Sequence, residues 1–297
     1  MNKIFKFLPL TIALVISTLT FGQPVSKSLL WKISGNDLTE PSYLFGTYHL
    51  LGDGFLTEVP EIETPFKNAK GVVVEMVIDS SKLLNISMMA VMRDKKISTL
   101  LSPEDFKLVS DTLEKISGFS LKMMDMFKPS QVSAALVLLQ SQKLNEKTLS
   151  KYPGIPLDVH FASAAKKNAI MLTPLETMEA QMKLLLDQFP VEEQARQLVD
   201  YVKNSNTFSK THVDMLNLYL QKDLDALSKL MESIPEDLIG NSDYLLKDRN
   251  EKWMKTLPPL MRSGSQFIAV GAGHLPGEDG MLSLLQKAGY QVTPVSK

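Results

Sequence analysis

Apolar positions near both ends of the chain fall in short, unbroken or alternating runs, whereas through the middle they recur at helical spacing. "SLLWKIS" (28–34) and "SYLFG" (42–46) are β-type runs separated by the turn-rich "GNDLTEP". "GVVVEMVI" (71–78) is continuously apolar apart from one residue, as in a strand covered on both faces, and "PEIETPFKNAK" before it reads as a short helix. From about Ser80 to Met261 the period is helical. "SPEDFKLVSDTLEKI" (102–116) opens on Ser-Pro-Glu with acids in its first turn, as a helix N-terminus prefers. "PSQVSAALVLLQSQKL", "LDVHFASAAKKN" and "PLETMEAQMKLLLDQF" follow, with a short strand expected at "AIMLT" (169–173). The end returns to β: "QFIAVG" (266–271), a helix at "GMLSLLQKAG", then "YQVTPV".

This pattern predicts a mixed α/β fold. Both terminal portions build one central mixed sheet, capped by helices, with a large helical insertion (about 80–261) between them. No long repeat, low-complexity segment or interdomain linker divides residues 23–297, which read as one domain.

The first 22 residues stand apart. Lys3 and Lys6 precede an apolar stretch from Phe7 to Thr18, too short for a stable membrane span, and Thr20-Phe21-Gly22 offers small residues for cleavage. Residues 1–22 are therefore expected to be a secretory signal peptide, with the mature protein periplasmic or extracellular and without a stable membrane span. Cleavage removes two lysines and takes the net charge from −1 to −3. With no long basic stripe, nucleic acid is not an expected partner. The chain has no cysteine, which excludes a disulfide framework, a thiolate metal site and a cysteine nucleophile. Core packing must hold it together, and its length is enough for a sizeable core. The oligomeric state is not legible.

Candidate chemistry concentrates at a few positions. Two of the four histidines share the frame Gly-x-x-His-Leu-x-Gly, in "GTYHLLG" and "GAGHLPG", each after a short apolar run. A glycine at a strand end lets the backbone turn sharply. His49 and His274 are then expected at a loop mouth, where an imidazole can ligate a metal or move a proton. Glu75 interrupts GVVVEMVI; it either reaches solvent from a strand end or needs a metal, an arginine or strong donors as partner. In "SDYLLKDRNEKWMKTLPPLM" helical spacing puts Arg249 and Asn250 on the face of Leu246, Trp253 and Leu257. An inward guanidinium needs an oxyanion or a substrate, or else stacks on Trp253 with its charge reaching out. His160 reads as a helix-packing residue, Asp158 as a cap or salt-bridge partner, His212 as a surface residue. The methionines, among them Met88 and Met123, read as core filler, and "GEDG" (277–280) as a turn.

Taken together, LWKISG…SYLFGTYHL, the VVVEM strand, GIPLDVHF followed by TPLETMEAQ, and RNEKW…FIAVGAGHLPGEDGMLSLLQKAGYQV resemble the TraB/GumN family. That family is related to the TIKI metalloproteases and, more distantly, to erythromycin-esterase-like enzymes. Its two Gly-x-x-His motifs, its glutamate after the first and its arginine before the second fall here on His49, Glu75, Arg249 and His274. The resemblance implies a secreted, metal-dependent hydrolase of peptides or proteins. His49 and His274 would hold a divalent cation, with Glu75 as third ligand or water-activating base and Arg249 facing an oxyanion or a substrate carboxylate. Imidazole with carboxylate suits Zn, Mn, Co or Fe, and the TIKI relatives favour Mn or Co. No His-Glu-x-x-His helix is present. Two other readings stay open: an esterase with one histidine as general base, and a peptide-binding or sequestering protein.

Overall fold

The continuous apolar runs become the interior of one six-stranded sheet, and the computed structural model describes it within residues 27–235 and 243–295. The strands are β1 (Leu30–Ser34), β2 (Ser42–Thr47), β3 (Gly71–Val74), β4 (Met171–Pro174), β5 (Gln266–Gly271) and β6 (Gln291–Pro294), in the order β4-β3-β5-β2-β1-β6. Strands β4, β3, β5 and β2 run parallel, while β1 is antiparallel to both β2 and β6. All four residues of β3 and the first five of β5 are buried, as expected of parallel strands covered on both faces. The β1–β2 turn passes through Gly35, Asn36 and Asp37, all at positive φ, a conformation that these residue types tolerate. The sheet unites the two ends of the chain as expected, and the predicted AIMLT strand joins it at the β4 edge.

The helices are α1 (Glu63–Asn68), α2 (Leu83–Met89), α3 (Ile97–Leu100), α4 (Pro103–Ser117), α5 (Pro129–Leu149), α6 (Leu157–Lys167), α7 (Met178–Leu186), α8 (Val191–Lys203), α9 (Ser205–Leu220), α10 (Leu224–Glu232), α11 (Asp248–Arg262) and α12 (Met281–Lys287). Ser102 caps α4 by accepting the Asp105 N–H, as the Ser-Pro-Glu signal predicts. Helix α8 buries Ala195, Leu198, Val199 and Val202, the i, i+3, i+4, i+7 stripe of an amphipathic helix.

Two apolar clusters result. One surrounds the sheet, with Phe45, Val72, Phe161, Trp253 and Phe267 at its centre. The other lies wholly in the helical middle, where Val109, Leu113, Val132, Leu136 and Leu198 meet. Each such side chain contributes about 1.5–3 kcal/mol by leaving water. Beside the second cluster, His212 is half-buried rather than on the surface. Ser141 Oγ lies 2.8 Å from its Nδ1 and Tyr201 Oη 3.2 Å from its Nε2, because α9 packs this face against α5 and α8. The methionines divide: Met92, Met261 and Met281 are core, whereas Met88 and Met123 are 56% and 70% exposed. Among the described residues no helix is long and apolar enough to cross a membrane. The expected signal peptide lies outside the described residues.

Candidate functional site

Four neighbouring parallel strands end at the same edge of the sheet, and each hands over to a polar residue. Thr47 and His49 follow from β2, His274 from β5, Glu75 from β3 and Glu176 from β4. The apolar run expected to continue to residue 78 stops as a strand at Val74, so Glu75 stands at a strand end rather than within a strand. Strand pairing sets Thr47 opposite Gly271, so the two Gly-x-x-His frames leave the sheet side by side. Crevices outside the carboxyl ends of parallel strands are where such sheets gather their sites. Helices α6, α7 and α11 then lean Asp158, Gln181 and Arg249 over this edge.

Arg249 sits at the centre, 8% exposed. Its Nε donates to Glu176 Oε1 at 2.9 Å. Nη1 donates to Leu245 O at 3.2 Å and to His274 Nε2 at 2.9 Å. Nη2 donates to Glu75 Oε2 at 2.7 Å and Glu176 Oε2 at 3.0 Å. A guanidinium has five N–H groups, and all five are engaged. The guanidinium also lies 4.8 Å from the Trp253 ring, but its charge stays inside, held by two carboxylates. Burial opposes its charge, and Glu176 and Glu75 more than offset that, keeping it protonated.

Glu75 accepts three bonds: from Arg249, from Gly271 N–H at 2.6 Å and from Gln181 Nε2 at 3.2 Å. Burial pushes its carboxyl up, yet the charges and the Gly271 N–H around it hold it below the ordinary carboxylate value. We attribute this to Arg249 and Gly271, because His274 is neutral. Arginine can only donate, so His274 Nε2 must accept, and its Nδ1–H donates to Asn250 Oδ1 at 2.7 Å. The Asn250 amide is oriented accordingly, its nitrogen donating to His274 O and Asp279 O. Burial, with Arg249 beside it, lowers the His274 imidazole to about 4. The Trp253 ring packs on it at 4.4 Å, and its indole N–H donates to Glu176 Oε1 at 3.1 Å.

His49 is the opposite case. Its Nδ1 pairs with Asp158, which also accepts the Thr47 hydroxyl. The Asp158 hydrogen bond and charge, helped by Glu75, raise this imidazole to about 9 against the effects of burial and Arg249. The side chain is nevertheless 73% exposed, at the rim of the site. Of the four expected residues, Glu75 and His274 are joined through Arg249, while His49 stands apart on Asp158 at the same strand-end edge. Beneath the rim, Tyr219 donates to Gly46 O at 2.8 Å and pins the end of β2.

The model of the TraB/PrgY/gumN family matches residues 29–294, nearly the whole chain. The chain belongs to the TraB/PrgY/gumN family. No curated protein and no solved structure matches it.

For a cation shared by both imidazoles, the donors are not disposed as the family resemblance leads one to expect. Among the described residues no group of three His, Asp or Glu side chains is arranged around a metal position. The reason is local: Arg249 occupies Nε2 of His274 and Oε2 of Glu75, while Asn250 and Gly271 take their other donors. The same saturation alters the part expected of Arg249. With no N–H to spare, it fixes Glu75, Glu176 and His274 rather than facing a substrate oxyanion. Sequence reasoning passed over Glu176 and Gln181, placed Asn250 on the inward face without a role, and read Asp158 as a cap or salt-bridge partner without naming His49 as the partner. Glu176 had a signal, since it follows an apolar strand run just as Glu75 does.

Proposed function

We propose that this family member is a hydrolase of acyl bonds, peptides before esters, in which His49 activates the attacking water. One observation supports this above the rest. Asp158 binds Nδ1 of His49 while, among the described residues, Nε2 has no partner and stands at the rim of the crevice. A carboxylate on Nδ1 fixes the tautomer whose Nε2 lone pair takes a proton, the base-and-orienter logic of hydrolytic dyads. Nε2 would take a proton from water as the oxygen attacks an acyl carbon, and return it to the leaving amine or alkoxide. Thr47 steadies Asp158, and the buried network around Arg249 keeps the floor of the crevice rigid. The preference for peptides rests on the family resemblance, and the export of the protein on residues 1–22. Intact mass of protein from its own host is expected to show a chain beginning at Gln23.

The test is a pH profile with chelator. Below its raised value His49 carries a proton and cannot act as base. Hence kcat/KM for a quenched-fluorescent peptide or p-nitrophenyl acetate should rise along one limb between the ordinary imidazole value of 6.5 and about 9. Solvent around so exposed a side chain screens the Asp158 pair and draws that limb toward neutrality. A fall across the same window would make His49 an acid. Loss of activity with chelator, restored by Mn, Co or Zn, would establish the metal-dependent reading. Peptide binding with no turnover in the wild type would establish the sequestering one.

A further inference from the structure

A second His–Asp couple joins the same two segments as the first. The loop after β2 supplies His49 and Asp53; the start of α6 supplies Asp158 and His160. Each segment thus gives one imidazole and one carboxylate. His49 meets Asp158, and His160 Nδ1 lies 2.9 Å from Asp53 Oδ2, with side chains 25% and 32% exposed. Between the couples the backbones are stitched together. Gly52, Asp53 and Gly54 donate to Tyr152, Ile155 and Pro153 oxygens at 3.2, 2.9 and 3.0 Å, and Leu157 donates to Leu51 O at 3.0 Å.

This approach leaves no room for side chains. A Cβ at Gly52 would lie 2.6 Å from the Pro153 backbone; one at Gly154, where φ is +119°, would lie 1.8 Å from Asp53 Oδ1. Asp53 is therefore confined between Gly154 and His160. The apolar anchors of the two segments, Leu51, Phe55, Leu157 and Phe161, are each at most 1% exposed and secure the fold without the couple. What the couple adds is register, which decides where His49 meets Asp158.

We propose that Asp53 and His160 are positioning residues for His49, locking its loop on α6 so that Nδ1 reaches the Asp158 carboxylate. This rests on the reading of His49 as the water-activating base. Misplacement of a reacting group by about 1 Å costs roughly a hundredfold in rate. Asp53→Ala and His160→Ala are therefore expected to lower kcat by roughly tenfold to a hundredfold with KM little changed. His160→Asn, whose amide nitrogen falls near the place of Nδ1, should restore most of the loss.

The deciding readout does not need turnover. Low-temperature proton NMR should show the His49 Nδ1 proton as a downfield resonance, assigned by its loss in His49→Ala. That resonance should shift and broaden in His160→Ala and Asp53→Ala and return in His160→Asn. An unshifted, sharp resonance in either folded alanine variant overturns the proposal. Should both alanine variants fail to fold, Asp53→Leu, which keeps much of the bulk but cannot accept from His160 Nδ1, is read by the same criterion. A wild type that hydrolyses neither peptide nor p-nitrophenyl acetate would defeat the hydrolase reading alone, and the resonance would still decide the positioning.

Discussion

After Gly46 the chain carries its histidine outward, to a side chain 73% exposed on the Asp158 carboxylate; after Gly271 it carries the matching histidine inward, 4% exposed, against a guanidinium. The sequence frame is the same, and the strands that launch the two copies are neighbours. What differs is the sign of the partner's charge and the access of water. One imidazole is raised to about 9 and the other lowered to about 4. A local motif therefore delivers an imidazole to an edge of the sheet, while residues more than 20 positions away decide whether that imidazole stands open to water or serves as a buried, fixed acceptor.

The contrast predicts separable failures. The largest is expected in activity at the outer frame: His49→Ala should lose about 10²–10⁴-fold in kcat, the usual contribution of a positioned base, with only a small fall in its denaturant midpoint. A His49→Ala enzyme of normal rate would remove the distinction altogether. At the inner frame the loss should appear in stability. Arg249→Leu strands two largely buried carboxylates, each 13% exposed, and is expected to cost up to about 3–5 kcal/mol, read from urea melts. A folded, equally stable Arg249→Leu would show the inner network to be dispensable.

The two imidazoles should also bend the pH dependence of stability in opposite senses. His274 has its folded value below the unfolded 6.5, so the unfolded chain binds more protons between 6.5 and about 4. Stability should fall as pH drops through that window, by up to about 3 kcal/mol. His49 has its folded value raised, so its contribution is complete below 6.5 and is lost as pH rises through about 9. Being exposed and screened, it should give the shallower of the two limbs. Urea melts of wild type, His274→Asn and His49→Ala from pH 4 to 9 check both; an acid limb unaltered in His274→Asn would contradict the buried assignment.

The smallest effects concern the frame glycines. A Cβ on Gly46 would lie 3.1 Å from both Cα and Cβ of Ala272, in the other frame, whereas one on Gly271 meets Glu75 Oε1 at 3.2 Å and otherwise only ordinary contact. Gly46→Ala should cost about 1–3 kcal/mol, as overpacking against backbone does, and Gly271→Ala less, since a carboxylate can shift by a few tenths of an ångström. Equal melting shifts would mean that the frames do not pack on each other.

Much of this was legible in the chain. Strand runs such as GVVV and QFIAVG declare themselves because both faces are apolar, and Glu75 drew notice because a carboxylate breaks such a run. Arg249 and Asn250 were placed inward by helical spacing alone. Less visible was anything that depends on which distant group arrives. Asp158 sits in the first turn of a helix, where an acid is welcome in any case, so its contact with His49 left no separate trace. Glu176 was absorbed into "PLETMEAQ", which reads as helix, although the helix begins only at Met178. The saturation of Arg249 involves partners 73 and 174 positions away and cannot be counted from spacing.

The strand order has a consequence in time. Strand β5 lies between β3 and β2, yet some 190 residues separate it from the end of β3. On a ribosome the sheet therefore waits with an open slot along its middle while the helical lobe, whose contacts are local, is free to condense. Non-local pairing of this kind is slow and leaves unpaired strand edges exposed. Until residues 266–271 are made and inserted, Glu75 lacks the Gly271 N–H and the two histidine frames have not met. The crevice thus comes into being in one late step, and a chain cut short before β5 is expected to be both inactive and prone to aggregate.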